Sequence, residues 1–199
     1  MKNKRGGMTA GELLAQLATD PEYQAVHEAK DREFAEIAEQ RRKEQQPLLN
    51  DLSAAGVTVD SVHHLLQMQN LNERIYRVLL EHITKPYTPW LLEWIGRAFG
   101  HKTARPIIWD RLLGLIKSHV LEDRAVQGAM AAISDLARPK DLGSLIDLLS
   151  DTSLGSSRLF LVRNLMRSKR PEARSALIRF QADPDLTREI TSRLRRRLV

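Results

Sequence analysis

From Asp60 to the C-terminus, residues that start and stop helices recur at short, regular intervals, and the stretches they enclose carry apolar residues at helical rather than alternating spacing. That pattern leaves no room for a sheet. It predicts helices over 72–84 and 89–99, 105–119 and 123–137, 140–150 and 156–168, and 171–181 and 184–198, which makes four pairs. Leu80, Leu113 and Ile146 are each 33 positions apart and Leu177 follows 31 later. The first helices of the pairs therefore align in an internal repeat of about 32 residues.

Ahead of the repeats the chain reads differently. A polar leader, MKNKRGG, precedes Met8 and is expected to be disordered through residue 8, with Met8 a candidate natural start. Thr9 and Glu12 are spaced for a capping box. Asp20-Pro21 then reads as an N-cap followed by the first helical residue, opening a mostly charged helix to about Gln46. Its apolar residues Tyr23, Val26, Phe34, Ile37 and Ala38 make only a thin stripe, and Glu28/Arg32 and Glu39/Lys43 are i,i+4 pairs on a solvated face. Such a stripe needs a partner, either the first repeat or a second copy, which would give a homodimer through residues 21–46. Pro47 is expected to kink this helix or start a new one through Leu48, Leu49 and Leu52, ending at Gly56. The organisation that follows is a leader over 1–8, a helical extension over 9–70 and a repeat domain over 71–199.

The turns inside the pairs carry a further pattern, in which Asp151 is followed by Arg158 and Asp183 by Arg188. With the paired helices, this resembles the HEAT-repeat family of α-solenoids over residues 71–199, whose repeats commonly place an aspartate in the turn and a basic residue early in the second helix. The second pair offers only Asp123-Arg124, and the first offers no such pair. The resemblance implies an all-α, right-handed solenoid of about four antiparallel helix pairs whose second helices line a binding face. It implies no chemistry of its own, as it extends to uncharacterised bacterial proteins of this layout.

Composition removes most other classes. The chain has 199 residues, of which 42% are hydrophobic and 28% charged, and only 18 are Gly or Pro, so it can bury a core. Zero cysteines exclude disulfides, thiolate metal sites and cysteine nucleophiles. No long apolar run predicts a membrane span or a signal peptide, and the expected location is cytoplasmic. The net charge of +6 is unevenly spread, because residues 152–199 hold 12 basic and 4 acidic residues while residues 1–151 hold 19 and 21. Basicity is a C-terminal property.

Candidate sites follow from that asymmetry. His64, His82, His101 and His119 recur 18 or 19 apart, but this interval is a helix plus a turn, and no HxxxH or HExxH pair accompanies it. They are expected to be structural, with no metal and no cofactor. Deoxyhypusine hydroxylases, HEAT-like enzymes that need several His-Glu pairs, are excluded, since only His27-Glu28 occurs. Trp90, Trp94 and Trp109 are expected in the core; a base-stacking platform with Glu93 or Asp110, as in HEAT-like DNA glycosylases, is the sharper alternative. Nucleotide loops and nucleophile elbows are missing. Among the C-terminal cations, Arg158 and Arg188 are set aside as partners of Asp151 and Asp183. The Arg195-Arg196-Arg197 run, with Arg193, surrounds a final helix whose buried line is Leu186, Ile190, Leu194 and Leu198, and serves as a polar cap. Arg163, Arg167, Arg170 and Arg174, with Lys169, remain as a contact patch for an acidic protein surface. The functional expectation is a non-enzymatic interaction scaffold. Sequence-independent nucleic-acid binding, and a regulatory or immunity protein that blocks another protein's active site, stand as alternatives.

Overall fold

A computed structural model describes residues 8–196 and is all-helical, with no strand among the described residues. The leader and the last three residues lie outside that range, as do the side chains from Leu194 onward. Among the described residues are ten α-helices and five short 3-10 segments. The chain forms two compact units that divide inside the second helix, one to Glu44 and the other from Gln45.

The N-terminal unit holds α1, Ala10–Leu17, and the first part of α2, Pro21–Ala54. The expected capping box is present: the Thr9 amide donates to Glu12 Oε2 at 2.8 Å and the Glu12 amide to Thr9 Oγ1 at 3.3 Å. That first bond holds the Glu12 carboxyl below its usual pKa. Asp20 caps α2 as expected, accepting from the amides of Glu22 and Tyr23. No residue of α1 is buried, and the α2 stripe is open, with Phe34 66% exposed.

Of the two outcomes expected at Pro47, no new helix starts there, because α2 runs on to Ala54. Proline in a helix interior costs about 3 kcal/mol through its missing donor and ring clash. Leu48, Leu49 and Leu52 are all buried on the far side of it. Burying a leucine contributes about 1.5–3 kcal/mol, so three that keep the helical phase outweigh the one proline.

In the larger unit a single core links the end of α2 and the turn Val62–Gln67 to eight helices: α3, Glu73–His82; α4, Pro89–Arg97; α5, Arg105–Lys117; α6, Asp123–Leu136; α7, Leu142–Ser150; α8, Leu159–Arg167; α9, Pro171–Arg179; and α10, Thr187–Arg196. Successive second helices touch, α4 against α6, α6 against α8 and α8 against α10. Among first helices, α3 touches α5 and α7 touches α9. The repeat register holds with a shifted phase. Of the aligned set, Leu80, Leu113 and Ile146 are half-buried and Leu177 is buried, whereas Leu79, Leu112, Leu145 and Ala176, one position earlier at the same spacings, are all buried.

Helix α6 is the most enclosed, with ten of its fourteen residues buried. Glycine makes this enclosure sterically feasible. A Cβ on Gly128 would stand 2.2 Å from the Glu93 carbonyl oxygen, and one on Gly96 2.7 Å from the Ala129 amide nitrogen, so α4 and α6 meet backbone to backbone.

A buried arginine fastens the last two pairs. Arg158, 1% exposed, donates through Nε to the Gly155 carbonyl at 2.9 Å, through Nη1 to Asp183 Oδ2 at 2.8 Å and through Nη2 to Asp185 Oδ2 at 3.0 Å. This corrects the expected pairing of Arg158 with Asp151 and of Asp183 with Arg188. The 3-10 turn Thr152–Arg158, bent at Gly155 with φ +51°, delays α8 to Leu159 and turns Arg158 toward the following pair. Asp151 instead accepts from the Ser153 amide and faces His119 at 3.5 Å, and Arg188 is exposed. Hydrogen bonding to Arg158 is the largest cause holding the Asp183 carboxyl below its usual pKa.

Two outcomes follow. Gly128→Ala should destabilise the larger unit by about 1–3 kcal/mol, the range of an overpacked core, in urea unfolding followed by circular dichroism. Asp183→Asn should cost about 2–3 kcal/mol at neutral pH, less than the 3–5 of a fully broken buried pair because Asp185 remains. The native carboxylate has a depressed pKa, so its contribution is complete above the ordinary aspartate value of about 3.9 and is lost as pH falls through the lower native value. The gap between variant and wild type should therefore close in acid.

Candidate functional site

The second helices α4, α6 and α8 end on one edge of the larger unit, and the turns after them line a groove of about 900 Å³. Gly100 and Lys102 come from the turn after α4, Ser134 and Asp135 from the end of α6, and Ala137, Arg138 and Pro139 from the turn before α7. Leu142 and Leu145 of α7 add apolar surface. From α8 and its following turn come Arg163, Asn164, Arg167, Ser168, Lys169 and Arg170. Six cations face one carboxylate.

That carboxylate is already engaged, since Arg163 Nη2 donates to Asp135 Oδ1 at 3.0 Å. Ser134 and Asn164 are spent on joining α6 to α8: the Ser134 hydroxyl donates to the Phe160 carbonyl at 2.8 Å, and the Asn164 amide donates to the Ser134 carbonyl at 2.8 Å. Lys102, Arg138, Arg167, Lys169 and Arg170 are exposed and form no ion pair among the described residues. Cations near helix C-termini complement the dipole by a few tenths of a kcal/mol to about 1 kcal/mol each. Five clustered on one groove still repel one another, and a bound anion would relieve that repulsion.

Of the four arginines singled out in the sequence, the structure brings Arg163, Arg167 and Arg170 to this groove and leaves Arg174 exposed outside its lining. Lys102 and Arg138 join them from earlier pairs, which the sequence reading missed. The Arg-Pro dipeptide shared by 105–106, 138–139 and 170–171 is the signal that could have found Arg138.

Of the other candidates, His82, His101 and the tryptophans are taken up by packing, while His64 and His119 are exposed. His82 is fully buried, with Nδ1 2.8 Å from the Tyr87 hydroxyl and Nε2 2.8 Å from Asp51 Oδ2. His101 Nε2 donates to the Leu65 carbonyl at 2.7 Å, and His64 lies in the Val62–Gln67 turn. Among the described residues no group of three His, Asp or Glu is placed to hold a metal ion. Trp109 is buried beneath the Arg105 guanidinium at 4.1 Å, and Trp90 and Trp94 are half-buried against His63. Glu93 binds Arg97 and Arg124 rather than facing a pocket. No helix among the described residues is long and apolar enough to cross a membrane.

No protein-family model, curated protein or solved structure matches the chain.

The Arg163–Asp135 pair is about half exposed on both sides. A double-mutant cycle with Arg163→Ala and Asp135→Ala should give a coupling of no more than about 1 kcal/mol, as for other surface pairs. A larger coupling in thermal unfolding would make the pair a structural clasp rather than part of an accessible rim.

Proposed function

We propose that this chain is a non-enzymatic interaction module that binds an acidic protein surface through the groove at the ends of α4, α6 and α8. The observation carrying this reading is the set of five unpaired cations on one groove beside apolar Ala137, Pro139, Leu142 and Leu145. A mixed apolar and cationic lining suits a protein segment, whose carboxylates and side chains alternate along it. No aromatic side chain lines the groove, so it offers bases no stacking platform.

The architecture that goes with this reading is a right-handed, HEAT-like solenoid of about four antiparallel pairs. Its support is the chain of contacts between successive second helices and the spacing of 33, 33 and 31 between buried positions. In such folds a rigid layer of helices presents side chains at its edge and face, and little rearrangement is needed on binding. A homodimer through residues 21–46 is a second reading, carried by the open stripe of Tyr23, Val26 and Phe34.

Arg167→Glu with Arg170→Glu tests the main reading. Both side chains are exposed, so folding should be unchanged. Affinity capture from native lysate should lose a saturable acidic partner, and association should be slowed more at low salt than at high. Equal capture by wild type and variant would overturn the reading. Loss of oligonucleotide retention with no protein partner would replace it with phosphate-backbone binding.

A further inference from the structure

An Arg-Pro dipeptide recurs at the entry to the first helices of three successive pairs, at 105, 138 and 170, with Arg105 already helical and Arg138 and Arg170 extended ahead of their helices. The first shows what the fold does with such a residue. Arg105 is buried, with Trp109 under its guanidinium, Nη1 donating to the Leu136 carbonyl at 2.9 Å and Nη2 to Asp141 Oδ1 at 2.9 Å. The carboxylate comes from the next pair, where the Arg138 amide also donates to Asp141 Oδ2 at 2.7 Å. One residue thus caps the entry to α7 and neutralises the arginine before it.

At the next station the arginine is kept and the carboxylate is lost. Three residues after Arg138 stands Asp141, but three residues after Arg170 stands Ala173, which is buried. The adjacent Glu172 is exposed and makes no ion pair with Arg138. Arg138 is exposed on the groove, and Arg167, Lys169 and Arg170 also line it. No carboxylate among the described residues gives Arg138 the seal that Asp141 gives Arg105.

We propose that a carboxylate from an extended acidic segment of a partner protein binds the exposed Arg138 guanidinium in this groove, supplying from outside the charge that Asp141 supplies to the buried Arg105. The proposal rests on the acidic-partner reading and adds the chemistry of the contact. The guanidinium fork takes a planar carboxylate through paired N–H donors. A neighbouring apolar side chain of the segment lies along Ala137, Pro139 and Leu142, and further carboxylates meet Arg167, Lys169 and Arg170. Asp135, fixed within the groove by Arg163, works against a continuous phosphate backbone, which would bring charge to every position.

A fluorescein-labelled peptide of alternating glutamate and leucine, titrated with the full chain at low salt and followed by anisotropy, tests this. The peptide should bind, and its glutamine–leucine counterpart should not. Arg138→Gln should weaken binding about tenfold, equivalent to about 1.4 kcal/mol, while Arg174→Gln, an equal charge loss outside the groove, should change it less than about twofold. Equal effects of the two variants would overturn the seating on Arg138. If Arg167→Glu with Arg170→Glu still abolished binding in that case, the acidic-partner reading would survive alone. Failure of the wild type to bind the peptide, or tighter binding of an oligothymidylate of equal charge, would overturn both.

Discussion

The close approach of α4 and α6 sets the geometry on which the rest of the larger unit depends. With hydrogen in place of a side chain at Gly96 and Gly128, the two backbones come into direct contact. Helix axes normally stay 8–10 Å apart because side chains intervene. Removing them at this crossing draws α6 inward, and its alanines, Met130 and Ile133 are enclosed by α4, α5 and α8. That position also brings the end of α6 beside the end of α8, where Ser134 and Asn164 lock the two together. The groove edge inherits its shape from this spacing.

Arginine has two opposed uses here, decided by whether a carboxylate from the following pair reaches it. Arg105 and Arg158 are buried, and each is answered from the next pair, by Asp141 in one case and by Asp183 with Asp185 in the other. Each also donates to backbone carbonyls, Arg105 to Leu136 and Arg158 to Gly155 and Leu149, which helps a buried charge to be tolerated. Arg138, Arg167 and Arg170 have no such answer and stay in water. The same residue type is a fastener between pairs where the acid arrives and a surface cation where it does not.

The N-terminal unit is organised by other forces. Its helices are capped by local hydrogen bonds at Thr9 and Asp20 and laced by i,i+4 pairs such as Arg32 with Glu28. The i,i+4 pairs each contribute a few tenths of a kcal/mol, and the caps about 1 kcal/mol. They specify helix without specifying a partner, which is why the apolar stripe through Phe34 is left open while Leu48, Leu49 and Leu52 on the same helix are buried.

The sequence by itself determined the helices, their number within the repeats, the caps at Thr9 and Asp20, and the repeat spacing, because all of these are set by residues a few positions apart. It left open whether a new helix starts at Pro47, because the proline penalty was legible while the tertiary burial of Leu48, Leu49 and Leu52 that carries α2 past it was not. Tertiary structure alone decided the phase of the repeat, since Leu79 and Leu80 serve helical periodicity equally well and only packing selects one. It also decided the ion pairs. Sequence proximity suggested Asp151 for Arg158, but the Gly155 bend turns that side chain toward Asp183, 25 residues away. For the groove, the C-terminal charge excess was legible in composition, whereas Lys102 and Arg138 joined it only because α4, α6 and α8 end on one edge. Local chemistry fixes where a helix begins and ends; which charges meet depends on how far apart the backbones stand, and that distance was set by two glycines 32 residues apart.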